Sequence, residues 1–380
     1  MLAIGPAQAT PRCPGGDIGR VAYVRAGTLY LLDLSTCRDR SVVRAGNTSV
    51  VGWYAGAVVL GDGRVVESNG RVTRPLGRVA SVVTAGGALA GITRRGGVVT
   101  QGRRLLPEGW GARTLAFSPD GAELAVSRDI FRTPSRHDHQ EIWLLNLHVP
   151  AGAPVYRVRS GVAPPELAGW WPDGSRILFW SDLFGSASIA ADGLPLDAVS
   201  RGGQRSRLVG AMLTYPDFLT RCGRRLVVAA GGDRFSTHGK RILAFAPRRV
   251  LGSEEKSWVS PACSPDGRFV VAPAGRDHEG RFGTEHRSLF LLPVSGGPAR
   301  RLTSPPANRS DEYPQWSDDG RFVLFVRSGP TTADASARGA LYLLDVQTHR
   351  TYGPLAQLRG SNYYGHYSWP SELVWAQGTR

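Results

Sequence analysis

The chain has 380 residues and a formal charge of +15 at pH 7, and only two of its 46 basic residues, Lys240 and Lys256, are lysines. The arginines are scattered in pairs such as Arg94-Arg95 and Arg248-Arg249. An Arg-, Ala- and Gly-heavy, Lys-poor composition follows from GC-rich codon usage, so no specific nucleic-acid binding is expected, and the charge supports only a general attraction to acidic envelope polymers. No apolar run approaches the roughly 18 residues of a membrane helix, and the length suits a large all-β or repeat domain better than one small core.

In chain order, residues 1–18 read as a tail. Its opening, MLAIGPAQATPRC, places Ala7-Gln8-Ala9 in the small-x-small pattern of a secretory cleavage site, without a charged or apolar region before it. The reading is a signal-peptide remnant, with a short disordered tail as the alternative. Residues 19–44 hold three strands. Residues 49–78 and 79–107 are two lean units of short strands with Gly turns.

From there a motif repeats: FSPDG at 117–121, WWPDG at 170–174, CSPDG at 263–267 and WSDDG at 316–320. Each is followed by an apolar run rich in β-branched and aromatic residues, such as AELAVSRD (122–129), SRILFWSD (175–182) or RFVLFVRSG (321–329), which reads as a strand. A further strand comes after a loop, as in EIWLLNLH (141–148) and GALYLLDV (339–346), then a short basic one. Ser-Pro-Asp-Gly is a tight turn between antiparallel strands: Pro presets φ, Asp caps local amides and Gly accepts positive φ. Residues 216–253 form another unit, with Cys222-Gly223 in place of the motif.

Repeated units of four strands with one conserved turn indicate an all-β fold, a β-propeller of four-stranded antiparallel blades over residues 19–377. The count is eight blades, with seven as the alternative because 49–107 is poorly specified. The segment YYGHYSWPSELVW (363–375) is strand-like and predicts the missing inner strand of the first blade, closing the ring. Trp170 and Trp316 read as core. Asp120, Asp173, Asp266 and Asp319 read as turn residues.

Four cysteines allow three pairings. Cys13–Cys37 would fasten the N-terminal segment to the first unit, and Cys222 and Cys263 occupy matching places in successive units. Such pairing favours an oxidising compartment; buried free thiols are the alternative.

The tetrads, with Glu141-Ile142-Trp143-Leu144-Leu145 and Arg300-Arg301-Leu302-Thr303 downstream, resemble the TolB-like propeller repeat of bacterial envelope proteins, most clearly over 112–180 and 258–346. The resemblance implies a periplasmic or extracellular protein-interaction scaffold. It also implies kinship with the propellers that precede prolyl-oligopeptidase-type hydrolase domains, although neither that hydrolase domain nor the α/β domain of TolB is recognisable.

Alternating strands put the Ser-Pro-Asp-Gly turns on one face, and the loops between second and third strands and between blades on the other. That second face collects His137, Asp138 and His139 on loop 130–140, Asp233 and His238 on loop 232–240, and Asp277, His278, Glu279, Glu285 and His286 on loop 276–287. Blade connections add Asp217, Asp311, Tyr313, Tyr363, Tyr364 and His366. Tyr, Trp and Arg are enriched at interface centres, so Tyr363, Tyr364, His366, Tyr313, Asp311, Asp217 and Asp233 are the candidate binding set; packing of the closing strand is the bland alternative for the aromatic ones. The expected role is non-enzymatic binding of a protein, a peptide or an envelope glycan by a monomer, with no cofactor. Imidazole and carboxylate also suit a divalent metal. Hence the alternative is a metal-dependent hydrolase or lyase acting on an acidic polysaccharide, with His137, His139, His238, His278 and His286 as ligands. No serine-hydrolase elbow, phosphate loop or EF-hand loop occurs.

Overall fold

The computed structural model describes residues 13–376, apart from 86, 134–135, 149–151, 160–164, 183–185, 278–285 and 330–335, and side chains are not described at 131–133, 136–138 and 159. Eight antiparallel sheets follow one another as blades 1 to 8 of a propeller. Their inner strands, from blade 1 to blade 8, are Leu373–Ala376, Val50–Tyr54, Ser81–Ala85, Ala112–Phe117, Glu166–Trp170, Leu219–Cys222, Lys256–Trp258 with Ala262–Cys263, and Ser310–Trp316. The lean stretch 49–107 is two full blades, because even two-residue strands such as Val65–Val66 and Val72–Thr73 complete a four-stranded ladder.

The repeated turn is built as its residues dictate. In FSPDG the Ser118 hydroxyl donates to Asp120 Oδ1 (2.5 Å) and accepts from Glu123 N (2.9 Å). Gly121, at φ +72°, donates to the Ser118 carbonyl. Ser264–Asp266–Gly267 and Ser317–Asp319–Gly320 repeat the pattern. The tryptophans before the turns lock neighbouring blades: Trp170 Nε1 donates to the Ala116 carbonyl and Trp316 Nε1 to the Ala262 carbonyl, each at 3.0 Å. Buried apolar clusters fill the space between blades, for example Ile142, Ile177, Phe179 and Val199 between blades 4 and 5. A blade alone would leave these faces in water, which is why the unit must recur.

The ring closes between the chain ends, Arg20 opposite Ala376 and Tyr23 opposite Leu373. Trp375 is buried there and donates to the Ile18 carbonyl at 3.0 Å. Disulfides join Cys13 to Cys37, across the N-terminal segment and blade 1, and Cys222 to Cys263, across the inner strands of blades 6 and 7.

Two local expectations need correction. Only Leu373–Ala376 of the 363–375 segment is the closing strand. Before it come a hairpin and a one-turn helix, Trp369–Glu372, because Gly365 turns at φ +84° and Pro370, lacking an N–H, sits in the first helical turn rather than in a ladder. Residues 130–133 and 136–140 are also strand rather than open loop. Strands Glu123–Thr133 and Arg136–Asn146 stay paired through them, with Ile130 opposite His139. The ladder is made by backbone N–H and C=O groups, so the polar composition of this stretch does not stop it.

Candidate functional site

The third strand of blade 8, Ser336–Asp345, continues above the ring, where Ser336–Ala340 pairs with Gln357–Ser361. From there the chain turns at Tyr363–Gly365 and comes back as His366–Tyr367. The turn is fixed by Gly365, whose N–H donates to Asn362 Oδ1 at 3.0 Å, and by Tyr364 at φ +46°. This hairpin lies against the tops of blades 6, 7 and 8.

Three anchors hold it. Ser236, on the second-to-third strand loop of blade 6, donates its N–H (2.9 Å) and its hydroxyl (3.1 Å) to the Tyr364 carbonyl. Arg287, at the start of the third strand of blade 7, donates to the Gly365 carbonyl at 2.9 Å. His366 Nε2 meets Asp217 Oδ1 at 3.0 Å, and its ring stacks on Tyr215 with centroids 3.5 Å apart.

The anchors are buried and polar, so their electrostatics decide their cost. Burial pushes the Asp217 carboxyl up, but the His366 imidazole and the Ser260 hydroxyl (2.5 Å) more than offset it, leaving it below the usual carboxylate range. Arg287 is 1% exposed and pairs with Glu312 at 2.9 Å. There burial outweighs the guanidinium, and the Glu312 carboxyl is pushed up to about 7. Burial raises Tyr313 strongly and brings Tyr215 up to about 12. The space enclosed by Asp217, Ser260, Arg287, Glu312, Gly365 and Trp369 is about 10 Å³, room for a water molecule at most.

Above this buried layer lies an aromatic one. Tyr363 is 47% exposed. Tyr364 packs edge-on against it (centroids 4.7 Å apart), Phe235 against Tyr364 (5.0 Å) and His238 against Phe235 (4.6 Å). Arg234, over Tyr364 at 5.7 Å, is held by both oxygens of Asp192 at 2.7 and 3.0 Å. Buried Lys240 caps the Gly232, Asp233 and His238 carbonyls and so shapes loop 232–240; burial lowers its ammonium to about 8.

Of the candidate binding set, Tyr363 and Tyr364 therefore sit in the outer layer, and His366, Asp217 and Tyr313 in the buried layer beneath. Asp311 is buried and bidentate to Arg327 (2.6 and 2.9 Å). Asp233 lies at the edge, hydrogen-bonded to His238 at 2.9 Å; burial raises its carboxyl, and His238 with the Phe235 N–H brings it below its usual value. Sequence reasoning singled out neither Arg287, Ser260 nor Phe235, because nothing local marks a residue that acts across blades.

The candidate metal ligands stand apart in sequence and in partner. His139 faces Glu141 (3.3 Å) on blade 4, His238 faces Asp233 on blade 6, and His286 Nε2 lies 2.8 Å from the Pro306 carbonyl beside blade 7. The side chain of His137, and all of His278, Glu279 and Glu285, lie outside the described residues. Among the described residues, no three His, Cys, Asp or Glu side chains form a metal-binding group.

A second opening was not anticipated. Inner strands of blades 3 to 6 line a channel cavity of about 530 Å³, with Thr84, Ala116, Ser118, Gly169, Thr220 and Arg221 on its wall.

No protein-family profile matches the chain, and no curated protein sequence does either. Solved structures do. A prolyl endopeptidase is 15% identical with a TM-score of 0.51; the match covers 88% of this chain and 48% of that one, so this chain spans about half of that protein. An oligogalacturonate lyase in complex with manganese is 12% identical (TM-score 0.45, 90% and 85% covered). A putative TolB from Agrobacterium tumefaciens is 15% identical (TM-score 0.38, 95% and 98% covered). At such identities the likeness concerns the fold alone, and a fold does not carry its chemistry with it. No helix among the described residues is long and apolar enough to cross a membrane.

Proposed function

We propose that this chain is an exported propeller that binds a protein or peptide through the aromatic layer over its channel mouth, with Tyr363, Tyr364, Phe235 and Arg234 at the centre of contact. The observation that carries the reading is Tyr363. It is the one exposed aromatic among the large hydrophobic side chains exposed in the described residues, and it stands on a hairpin of blade 8 held at three points by blades 6 and 7. A tyrosine on a rigid support presents a large contact area at little cost in conformational entropy. The near-absence of free volume beneath the hairpin favours a docking surface over a substrate pocket at that mouth. Two disulfides suit an oxidising compartment.

The test is crosslinking capture from an envelope extract, wild type against Tyr363→Ala. Because Tyr363 is exposed, the variant should keep its stability within about 0.5 kcal/mol. A protein retained by wild type and lost by the variant supports the proposal. Identical capture by both, or none by wild type, removes it, and retention of a glycan instead would redirect it to envelope polysaccharide.

A further inference from the structure

On the outer flank, where blade 7 passes into blade 8, the described residues line a half-open cavity of about 340 Å³. Arg309, Arg327, Arg338, Tyr342, Pro354 and Gln357 are on its wall, and no acidic side chain is. Arg327 is committed: it holds buried Asp311 with two hydrogen bonds and lies over the Tyr342 ring at 4.8 Å. Arg309 and Arg338 have no carboxylate partner among the described residues. The ladder sets Arg338 directly opposite Arg359, which has none either. Residues opposite each other in an antiparallel pair have Cβ atoms about 5 Å apart, and like charges placed so are destabilising. The backbone makes room for the cluster at Gly329, where an added Cβ would come 2.8 Å from Arg309 Nη1.

A concave surface with two guanidinium groups, Arg309 and Arg338, that lack a carboxylate partner among the described residues, beside Arg359 on the paired strand and the neutralised Arg327, is organised for an anion. Guanidinium forks match the oxygens of phosphate in paired hydrogen bonds. A phosphate monoester carries close to two negative charges at neutral pH, which suits the charge excess better than a single carboxylate. A bare phosphate would leave most of the cavity empty, while Tyr342 and Pro354 supply an apolar wall, and the volume is in the range of small-molecule sites. We propose that this cavity binds the phosphate monoester of a sugar-sized molecule. The site is separate from the aromatic layer and does not depend on the role assigned to it.

Titration calorimetry at low salt with glucose 6-phosphate as the probe tests this. Three proteins are compared: wild type; Arg338→Ala with Arg359→Ala; and Arg224→Ala with Arg248→Ala, which removes the same charge from exposed positions on blade 6. Saturable binding is expected for wild type and for the blade 6 control, at least about ten-fold weaker for the Arg338/Arg359 variant. Without ligand that variant should melt no lower than wild type, because a like-charge pair has been removed. Inorganic phosphate should bind more weakly than the sugar phosphate, and glucose should not bind. Absence of saturable binding to wild type, equal weakening in the control, or tighter binding of glucuronate than of glucose 6-phosphate would each overturn the assignment.

Discussion

Glu312 offers the most direct test of the buried layer that supports the channel-mouth hairpin. It pairs with Arg287, which in turn holds the Gly365 carbonyl. Its carboxyl is raised from 4.5 to about 7, chiefly by burial, with Arg287 pulling the other way. A displacement of that size corresponds to about 3 kcal/mol of pH-dependent stability, at 1.36 kcal/mol per pH unit. The sign follows from proton binding. Below about pH 4.5 the carboxyl is neutral in both folded and unfolded chains, and the contribution is fully present. As the pH rises, the unfolded chain releases its proton first, and the contribution is lost through about pH 7. Gln at 312 keeps an acceptor for Arg287 but does not titrate. Urea denaturation of wild type and Glu312→Gln across this range should therefore give a stability difference, wild type minus variant, that falls by about 3 kcal/mol from pH 4.5 to 8 and is flat above. Asp217, whose carboxyl lies below the usual carboxylate range, acts in the opposite sense and is ionised throughout this window. A flat or rising difference would refute the claim that burial dominates Arg287 at this residue.

Replacing Cys222 and Cys263 by Ser opens a cross-link spanning 41 residues and should cost about 4 kcal/mol on chain-entropy grounds, read from the denaturant midpoint; a loss below about 1 kcal/mol would show that the link constrains little. Intact mass after alkylation without reductant should show no added groups, whereas four would mean that the cysteines are reduced. Trp375→Ala removes a buried ring and its bond to Ile18 at the closure, and should cost about 3–5 kcal/mol in equilibrium unfolding; a cost near zero would mean that the seam is not what holds the ring shut. Protein purified without chelator should carry less than roughly a tenth of an equivalent of transition metal by elemental analysis, since His139, His238 and His286 each have a separate local partner; one full equivalent would bring back the metal reading.

What was legible in the residues was what neighbours in the chain decide. Ser118-Pro119-Asp120-Gly121 makes its turn through bonds reaching no further than Glu123, so the turn can be read wherever it is written. Four copies of such a turn, with alternating apolar strands after them, imply the ring. The matching places of Cys222 and Cys263 also follow from the repeat, because equivalent positions on adjacent blades are near in space. The failures have the opposite character. Residues 130–140 look like a polar loop because the strand signal is side-chain composition, whereas the ladder there is carried by backbone pairing with residues across the hairpin.

The site was legible only in part. Tyr363, Tyr364, His366 and Asp217 could be picked out as unusual residues on one predicted face, but their division into an exposed layer and a buried one could not. His366 and Asp217 are 149 positions apart, and Ser236 and Tyr364 are 128 apart. No local periodicity encodes such a meeting; it depends on how far the ring brings blade 8 round towards blade 6. The channel-mouth anchors, the 340 Å³ flank cavity and the opposition of Arg338 to Arg359 belong to the tertiary structure for the same reason. The residues alone were enough for the repeating unit and its turns, which need only short-range geometry, and for the expectation of a closed ring, which follows from burying each blade against the next. Which polar groups are desolvated together, and hence which carboxyls are raised or lowered, was decided only when distant blades met.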